Sequence, residues 1–515
     1  MEKGIKAFIS PQSTDKKMEK NGLLFKLPKL PEIKDLRSKF VILINAVFFL
    51  FQIFYAAARQ QYLNPYIPVW YTKPWGDLQL APTAYIYIIP VVTLIFITVT
   101  LVILSKFSVL RSKEASFITL TFLTLATVFL TISEVRIVNI ASSPFKPLFD
   151  PRLSSLLPYL FISLAVCVLL VPLCIKLAYK YDIVTDPERD KHPGMILKKP
   201  SARGGAVAFF LSFLVIALIF VPLTRVTVGL YIGAFITTLI GLADDIKSIN
   251  PYVRLLVLLP IAVIITLAVS DLHIFYFASP FDGIMRLDFI KITYEIFDMK
   301  FNFFPVADIF TVIWILWVMN MLSWSNAVDG QFSGMTAITC IITAVIAVGL
   351  LKIDHEQIYV ARLAVIAAGA SLGLLPYNWH PSKIMWGFGA TAMGLTISVL
   401  SIMAGTKVAV ATLVLIVPTL DALVTIVRRI LQKKSPVWGD RGHLHHRLLD
   451  MGFSQQGVAI LYWVITALIG VIALLASGRA KFLALLTIGG IVSFILVAMN
   501  LKGEPDKLKL QEPAK

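Results

Sequence analysis

The sequence predicts an all-α, polytopic membrane protein, a bundle of about fourteen transmembrane helices. Two observations carry that expectation. Of 515 residues, 57% are hydrophobic and only 15% are charged. The apolar residues also gather into runs near bilayer-crossing length, which recur from about Val41 to the C-terminus. Backbone groups in lipid must bond within their own segment, so such runs are helices. A β-barrel would show alternating segments of roughly ten residues instead.

The spans begin near Val41, Pro82, Ala115, Leu156, Gly204, Thr227, Tyr252, Ala307, Met335, Ala361, Ile384, Lys407, Gly457 and Lys481. The organisation they suggest is a basic cytoplasmic tail (1–40), a three-helix N-terminal membrane extension (41–150), an eleven-helix core (151–500) and a short C-terminal tail (501–515). The tail before Val41 is polar and basic, so no cleavable signal peptide is expected. Cys167, Cys174 and Cys340 all lie inside apolar runs and read as small buried hydrophobes rather than a disulfide or zinc set.

The net charge of +17 admits nucleic-acid binding or the positive-inside bias of a membrane protein. The basic residues sit between spans, which favours the bias and argues against a nucleic-acid partner. With the N-terminal tail in the cytoplasm, alternation places Lys106–Lys113, Tyr181–Arg203 and Arg428–His446 inside, together with the C-terminus. Gln60–Leu80, Glu134–Ser154 and Asp271–Pro305 fall outside, and Tyr62, Trp70, Tyr71 and Trp75 are placed as interfacial anchors. The expected location is a multi-pass protein of the plasma membrane with both termini cytoplasmic.

Five polar clusters then fall on the cytoplasmic side: DIVTDPERDKHPGMILKKPSARGG (182–205), Asp244–Asp245, NAVDGQFSG (326–334), NWHPSK (378–383) and GDRGHLHHR (439–447). Charges at span ends are costly, so five clusters on one face suggest one site. Two adjacent carboxylates ionise together cheaply only beside a cation. Mg²⁺ suits carboxylates plus substrate phosphate, with Mn²⁺ as the alternative; Asp329 is a third acid at a span end. A single Asp of this kind is as well explained by a hydrated helix end.

His443 and His446 share a face if their segment is helical, flanked by Arg441 and Arg447. An anion site is the favoured reading, an ordinary basic loop the next, since it explains Lys433 and Lys434 well but three of the chain's seven histidines poorly, and a zinc site the last. Arg203-Gly204-Gly205 opens a span, where glycine permits close approach of a phosphate or of a neighbouring helix. Asn378 and Lys383 bracket Pro381 and equally suit a polar span end.

In order, these clusters resemble the polyprenyl-phosphate N-acetylhexosamine-1-phosphate transferase family, over roughly Leu156 to Asn500. SPVWGDRGHLHHRLLDMGFS is the closest stretch, and its HLHH form looks like the branch using UDP-N-acetylglucosamine or a near relative. The resemblance implies transfer of a sugar 1-phosphate from a UDP-N-acetylhexosamine to a polyprenyl (undecaprenyl) phosphate, releasing UMP, as a first membrane step of cell-envelope glycan synthesis. It implies that Asp244, Asp245 and Asp329 act at the metal and the chemistry, with Arg254 a basic position beside them. By the same resemblance Asn326, Asn378, the first loop (His192, Arg203, Gly204, Gly205) and His443, His445 and His446 bind the substrates, and Lys383 and Arg441, within the same polar clusters, are expected to join them. The family pattern N-x-x-P-A-K-I-F-M-G-D-x-G reads here as NWHPSKIMWGFG: Phe388 follows Gly387 where an aspartate is usual. DGQFSG likewise lacks the second aspartate of D-G-x-D-G.

Two other classes compete. An inert relative would bind lipid carrier or nucleotide without turnover. A transporter would place charges near the bilayer midplane and often show repeats, neither of which is seen. The partners expected are the UDP-sugar, the polyprenyl phosphate and the bilayer, with a homodimer left open.

Overall fold

The structure, a computed structural model, describes residues 36–70, 76–106, 112–142, 150–190, 196–197, 199–278, 284–296, 299–405, 407–437, 441–475, 484–493 and 496. Most of the N-terminal tail, His192, Tyr71, Trp75 and the C-terminal tail lie outside the described residues. The rest is helical, as long apolar runs require. Nine stretches of described chain are long and apolar enough to cross a bilayer, and shorter apolar helices join them.

The N-terminal unit comprises α1 (Leu36–Arg59), α2 (Ile88–Lys106) and α3 (Lys113–Ala141). Its helices are apolar, so water does not drive them together; buried polar pairs help to set their register instead. Asn45 Nδ2 donates to Thr124 Oγ1 at 2.7 Å, Thr127 Oγ1 donates to Asn45 Oδ1 at 2.8 Å, and Gln52 Nε2 donates to Thr131 Oγ1 at 2.9 Å. Asn45 and Gln52 are seven apart, and Thr124, Thr127 and Thr131 follow helical spacing, so one face of each helix meets the other. The antiparallel pair β1 (Tyr66–Pro68) and β2 (Leu80–Pro82) lies between α1 and α2 in the chain.

The larger bundle begins with α4 (Leu157–Lys180), the short pair β3 (Val184–Thr185) and β4 (Ser201–Ala202), α5 (Gly205–Phe220) and α6 (Arg225–Ile246). Next, α7 (Pro251–Val253) passes through a π turn (Arg254–Leu258) into α8 (Leu259–Ser270). Pro260 lacks the N–H that would continue the regular ladder just beyond that turn. Two antiparallel hairpins, β5 (Tyr276–Ala278) with β6 (Ile284–Arg286) and β7 (Ile292–Ile296) with β8 (Met299–Phe303), fill the connection to α9 (Pro305–Trp324). Then come α10 (Gln331–Leu350), α11 (Gln357–Asn378), α12 (Ala390–Met403), α13 (Lys407–Val414), α14 (Ile416–Leu431), α15 (Leu444–Asp450), α16 (Gln455–Leu475) and α17 (Ala484–Ser493). The N-terminal core around Tyr55, Ile86 and Val138 continues onto Leu468, Val471 and Leu475 of α16, which docks that unit on the bundle.

Helix α11 runs through the centre of the bundle, against α4 and α10. Small residues let the backbones close up: a Cβ on Gly369 would lie 2.2 Å from the Leu160 carbonyl oxygen, and one on Gly373 would lie 2.6 Å from Cys167 Cβ. The outward side of α4 carries exposed Leu157, Phe161, Leu169 and Leu173, the lipid-facing surface of a spanning helix.

Two expected spans take a different form. The one expected from Ile384 begins at Ala390, because residues 384–389 are non-helical backbone that lines the site. The one expected from Lys407 divides into α13 and α14. Pro418 supplies no N–H to the Val414 carbonyl four residues back, and its ring crowds that carbonyl, so the helix breaks there.

Replacing Gly369 by leucine is expected to destabilise the protein by about 1–3 kcal/mol, since the added side chain must force α11 off α4. A lowered unfolding midpoint in detergent is the expected reading, and an unchanged one would contradict this packing.

Candidate active site

Each polar cluster is positioned by backbone before its side chains act. β3 pairs with β4, Val184 opposite Ala202, and Ala202 bridges on to Ile384. The Met385 N–H donates to the Ala202 carbonyl at 2.8 Å, and the Gly205 N–H donates to the Met385 carbonyl at 2.9 Å. A Cβ on Gly205 would lie 2.7 Å from that oxygen, so the second glycine of Arg203-Gly204-Gly205 serves close approach of two chain segments. Gly204 adopts φ +97°, the left-handed turn that starts α5.

This joins the first loop to the acidic pair. Arg203 Nε donates to Thr185 Oγ1 at 2.6 Å, and its Nη1 donates to the Asp245 carbonyl oxygen at 3.3 Å. Asp244 and Asp245, both buried, end α6. Asp244 Oδ2 accepts from Arg254 Nη1 at 2.7 Å, and its Oδ1 accepts from the Ile249 N–H at 2.9 Å. Asp245 Oδ1 accepts from the Phe388 N–H at 3.2 Å, and the carboxylate lies against Gly387, where a Cβ would come within 1.9 Å of Oδ2. The Arg254 guanidinium stands over the Phe388 ring, 3.9 Å from its centroid. The position that carries an acid in the pattern above therefore carries a platform for a cation.

The third and fourth clusters close the other side. Asn326 Nδ2 donates to the Gly387 carbonyl at 3.3 Å. Asp329 Oδ2 accepts from His380 Nδ1 at 2.8 Å and from the Ser382 N–H at 3.2 Å. Asn378 is spent on the protein itself. Its Oδ1 accepts from the Gly330 N–H and from Ser333 Oγ, both at 3.2 Å, and its Nδ2 donates to the Ile384 carbonyl at 3.0 Å. It pins the 326–334 loop to the 384–389 run. Lys383 is exposed; its backbone is bonded to Ala202 and Tyr377.

The histidine segment meets this assembly through Trp324, whose ring lies 6.4 Å from that of His443, and through Tyr252, whose hydroxyl is 2.7 Å from Ser435 Oγ. His443 precedes the first turn of α15, stacked on His445, with His445 against His446. His443 Nδ1 donates to Asp421 Oδ2 at 2.9 Å, and the Leu444 N–H donates to Asp421 Oδ1 at 2.7 Å. Among the described residues neither ring nitrogen of His445 has a partner, nor has His446 Nδ1. Burial, reinforced by the neighbouring histidines, holds His445 well below the ordinary imidazole range. Burial, then Arg441 and His443, take His446 down to about 4. Arg441 itself donates to Asp450 at 2.8 Å.

Sequence reasoning missed four partners: Asp421, His380, Thr185 and the Phe388 ring. Asp421 had a legible signal, an acid within the apolar run of α14. The acids expected at a metal are Asp244, Asp245 and Asp329. Among the described residues no three His, Cys, Asp or Glu side chains converge as a metal-holding group. Asp244 is committed to Arg254 and Asp329 to His380, so the donor set is not a protein-only cage. Asp245 Oδ2 has no donor among the described residues, which suits an ion held jointly with substrate phosphates.

A family profile described as glycosyl transferase family 4 matches residues 227–405, from α6 to the end of α12. Over that segment, about a third of its length, the chain is similar to that family. The matched segment holds the acidic pair, Arg254, Asn326, Asp329, Asn378 and Phe388, while the histidine segment lies beyond it. The probable undecaprenyl-phosphate N-acetylglucosaminyl 1-phosphate transferase of Bacillus subtilis (strain 168) is 26% identical over 365 residues, 69% of this chain and 94% of that protein. A decaprenyl-phosphate N-acetylglucosaminephosphotransferase of Mycobacterium leprae is 29% identical over 342 residues, covering 59% of this chain and 79% of its own length. A phospho-N-acetylmuramoyl-pentapeptide-transferase of Staphylococcus epidermidis is 25% identical over 335 residues, 61% of this chain and 97% of that one.

His446 also sets a pH dependence. Its folded value lies below its ordinary 6.5, so its contribution to stability is fully present above about 6.5 and is lost as pH falls toward about 4. The unfolding midpoint of wild type is expected to drop across that window, and His446→Gln should flatten the drop. Equal slopes in the two proteins would contradict the buried, neutral assignment.

Proposed function

We propose that this membrane enzyme transfers N-acetylhexosamine 1-phosphate from a UDP-sugar to polyprenyl phosphate, giving polyprenyl-diphospho-sugar and UMP. N-acetylglucosamine is the sugar favoured, because relatives along most of the chain are named for it. The observation that carries the reading is the joining of five separated polar clusters into one site at the ends of apolar helices. A lipid acceptor and a water-soluble donor can meet only at such a place.

In the reaction an oxygen of the lipid phosphate forms a bond to the sugar-bearing phosphorus of the donor. The bond from that phosphorus to the bridging oxygen breaks, and UMP leaves with the electron pair. Two anions must approach, so cationic groups dominate the work. Arg254, braced by Asp244 and stacked on Phe388, presents a guanidinium with few rotamers left to lose. Arg203 is held beside Asp245 by Thr185. Mg²⁺ or Mn²⁺, bound by Asp245 with the substrate phosphates, would screen their repulsion. Asn378 keeps the 326–334 loop against the 384–389 run, and Asp329 holds His380 at the rim. The positive-inside bias supports a cytoplasmic site with both termini on that side.

One observation favours a second reading. Phe388 takes the place of the usual acid and covers Arg254, as it would in an inert relative that binds carrier or nucleotide.

Purified protein with polyprenyl phosphate, UDP-N-acetylglucosamine and Mg²⁺ is expected to release UMP, and Asp245→Asn should lower that rate by about 100-fold or more while remaining folded. Nucleotide binding without UMP release from any UDP-sugar would establish the inert reading.

A further inference from the structure

Helix α14 is amphipathic in the membrane sense. Asp421, Thr425 and Arg429 recur every four residues and are buried, whereas Leu423, Val427 and Leu431 are exposed. An acid on the inner face of such a helix is costly unless it is bonded to something that needs it. Asp421 bonds two consecutive residues of the histidine segment, the His443 ring and the Leu444 N–H. An ionised carboxylate only accepts, so His443 Nδ1 carries the proton. Thr425 Oγ1, at 3.5 Å, is the other polar atom near that nitrogen. His443 Nε2 has no partner among the described residues, and unlike both nitrogens of His445 it is not sealed from the surface. Of the three clustered histidines, His443 is the one with a carboxylate behind it and an open nitrogen in front.

We infer that Asp421 is the positioning residue for His443: it fixes the Nδ1–H tautomer and leaves Nε2 as the base that takes the proton from the acceptor's phosphate. This rests on the transferase reading above. A phosphomonoester loses its second proton near pH 6, so part of the lipid phosphate arrives singly protonated. That proton moves to His443 Nε2, the freed oxygen bonds to the sugar-bearing phosphorus, and the proton leaves on a phosphate oxygen of UMP. Asp421 remains ionised throughout and touches no substrate. The titratable and charged groups around His443 are His445 and His446 of its own segment with Arg441 and Asp450 beyond them, Arg428 of α14 against Gly442, Arg447, whose Nε donates to the Gly442 carbonyl at 3.1 Å, and Tyr462 of α16 near Asp421. The signal lies in both elements at once: an acid in an apolar helix, and a histidine immediately before a helix start.

The test compares full-length wild type, Asp421→Asn and Asp421→Glu in detergent. The turnover number for UMP release should fall about 10- to 100-fold in Asp421→Asn with little change in KM, and Asp421→Glu should recover much of it. The deficit should narrow between about pH 6 and about pH 8, as the lipid phosphate loses its proton to water unaided. Histidine nitrogen NMR, which needs no turnover and is assigned to His443 by loss of its signals in His443→Gln, should show that ring protonated at Nδ1 and bare at Nε2 in wild type, altered in Asp421→Asn. A wild type that releases no UMP defeats the transferase reading, and the spectrum then decides the Asp421 assignment alone. Histidine signals unchanged in Asp421→Asn, or a deficit equal at every pH, would overturn the inference.

Discussion

The site depends on how two adjacent buried carboxylates at the end of α6 are kept apart in role. Side by side at a membrane-helix terminus, Asp244 and Asp245 repel each other and the C-terminal helix dipole. The structure resolves this by giving Asp244 a cation of its own. Arg254 lies ten residues on, brought back by the tight turn through Asn250 and Pro251. Removing one partner of a buried ion pair costs about 3–5 kcal/mol, because the other charge is left without compensation. Asp245 is thereby released to face the Gly387–Phe388 backbone.

The surrounding architecture follows from that division. The run from Ile384 to Gly389 approaches Asp245 closely at Gly387 and Ala206 closely at Gly389, so it carries glycine at both and is non-helical. A non-helical segment at this depth needs its backbone bonded elsewhere, and Ala202, Gly205, Asn326 and Asn378 supply those bonds. Asn378 also orders the Gly330 turn. The same hydrogen bonds that satisfy the 384–389 backbone thus assemble clusters lying far apart in sequence.

Much of the helical bundle was legible because lipid leaves an apolar run little choice. Helix starts near Val41, Leu156, Ala307 and Ala361 could be read directly from composition. The break before Ile416 was less visible, since the surrounding apolar run masks a single proline whose effect falls four residues upstream. The site's membership was legible as clustered polar residues at span ends. Its pairing was not: Asp421 with His443, Asp329 with His380, and Arg254 with Phe388 are contacts between elements, and periodicity within one element carries no information about them. Of the three acids on that face, packing pairs Asp244 with Arg254 and Asp329 with His380, neither of which a count of acids reveals.

In this reaction a phosphorylated sugar, rather than the sugar alone, moves onto the lipid. UDP-N-acetylglucosamine radiolabelled at its β-phosphorus tests this most directly, incubated with the purified protein and polyprenyl phosphate before organic extraction. The label is expected to enter the lipid phase together with the sugar, with unlabelled UMP left in water. Label retained in UDP while the sugar enters the lipid would mean transfer with cleavage at the sugar carbon, and would contradict it.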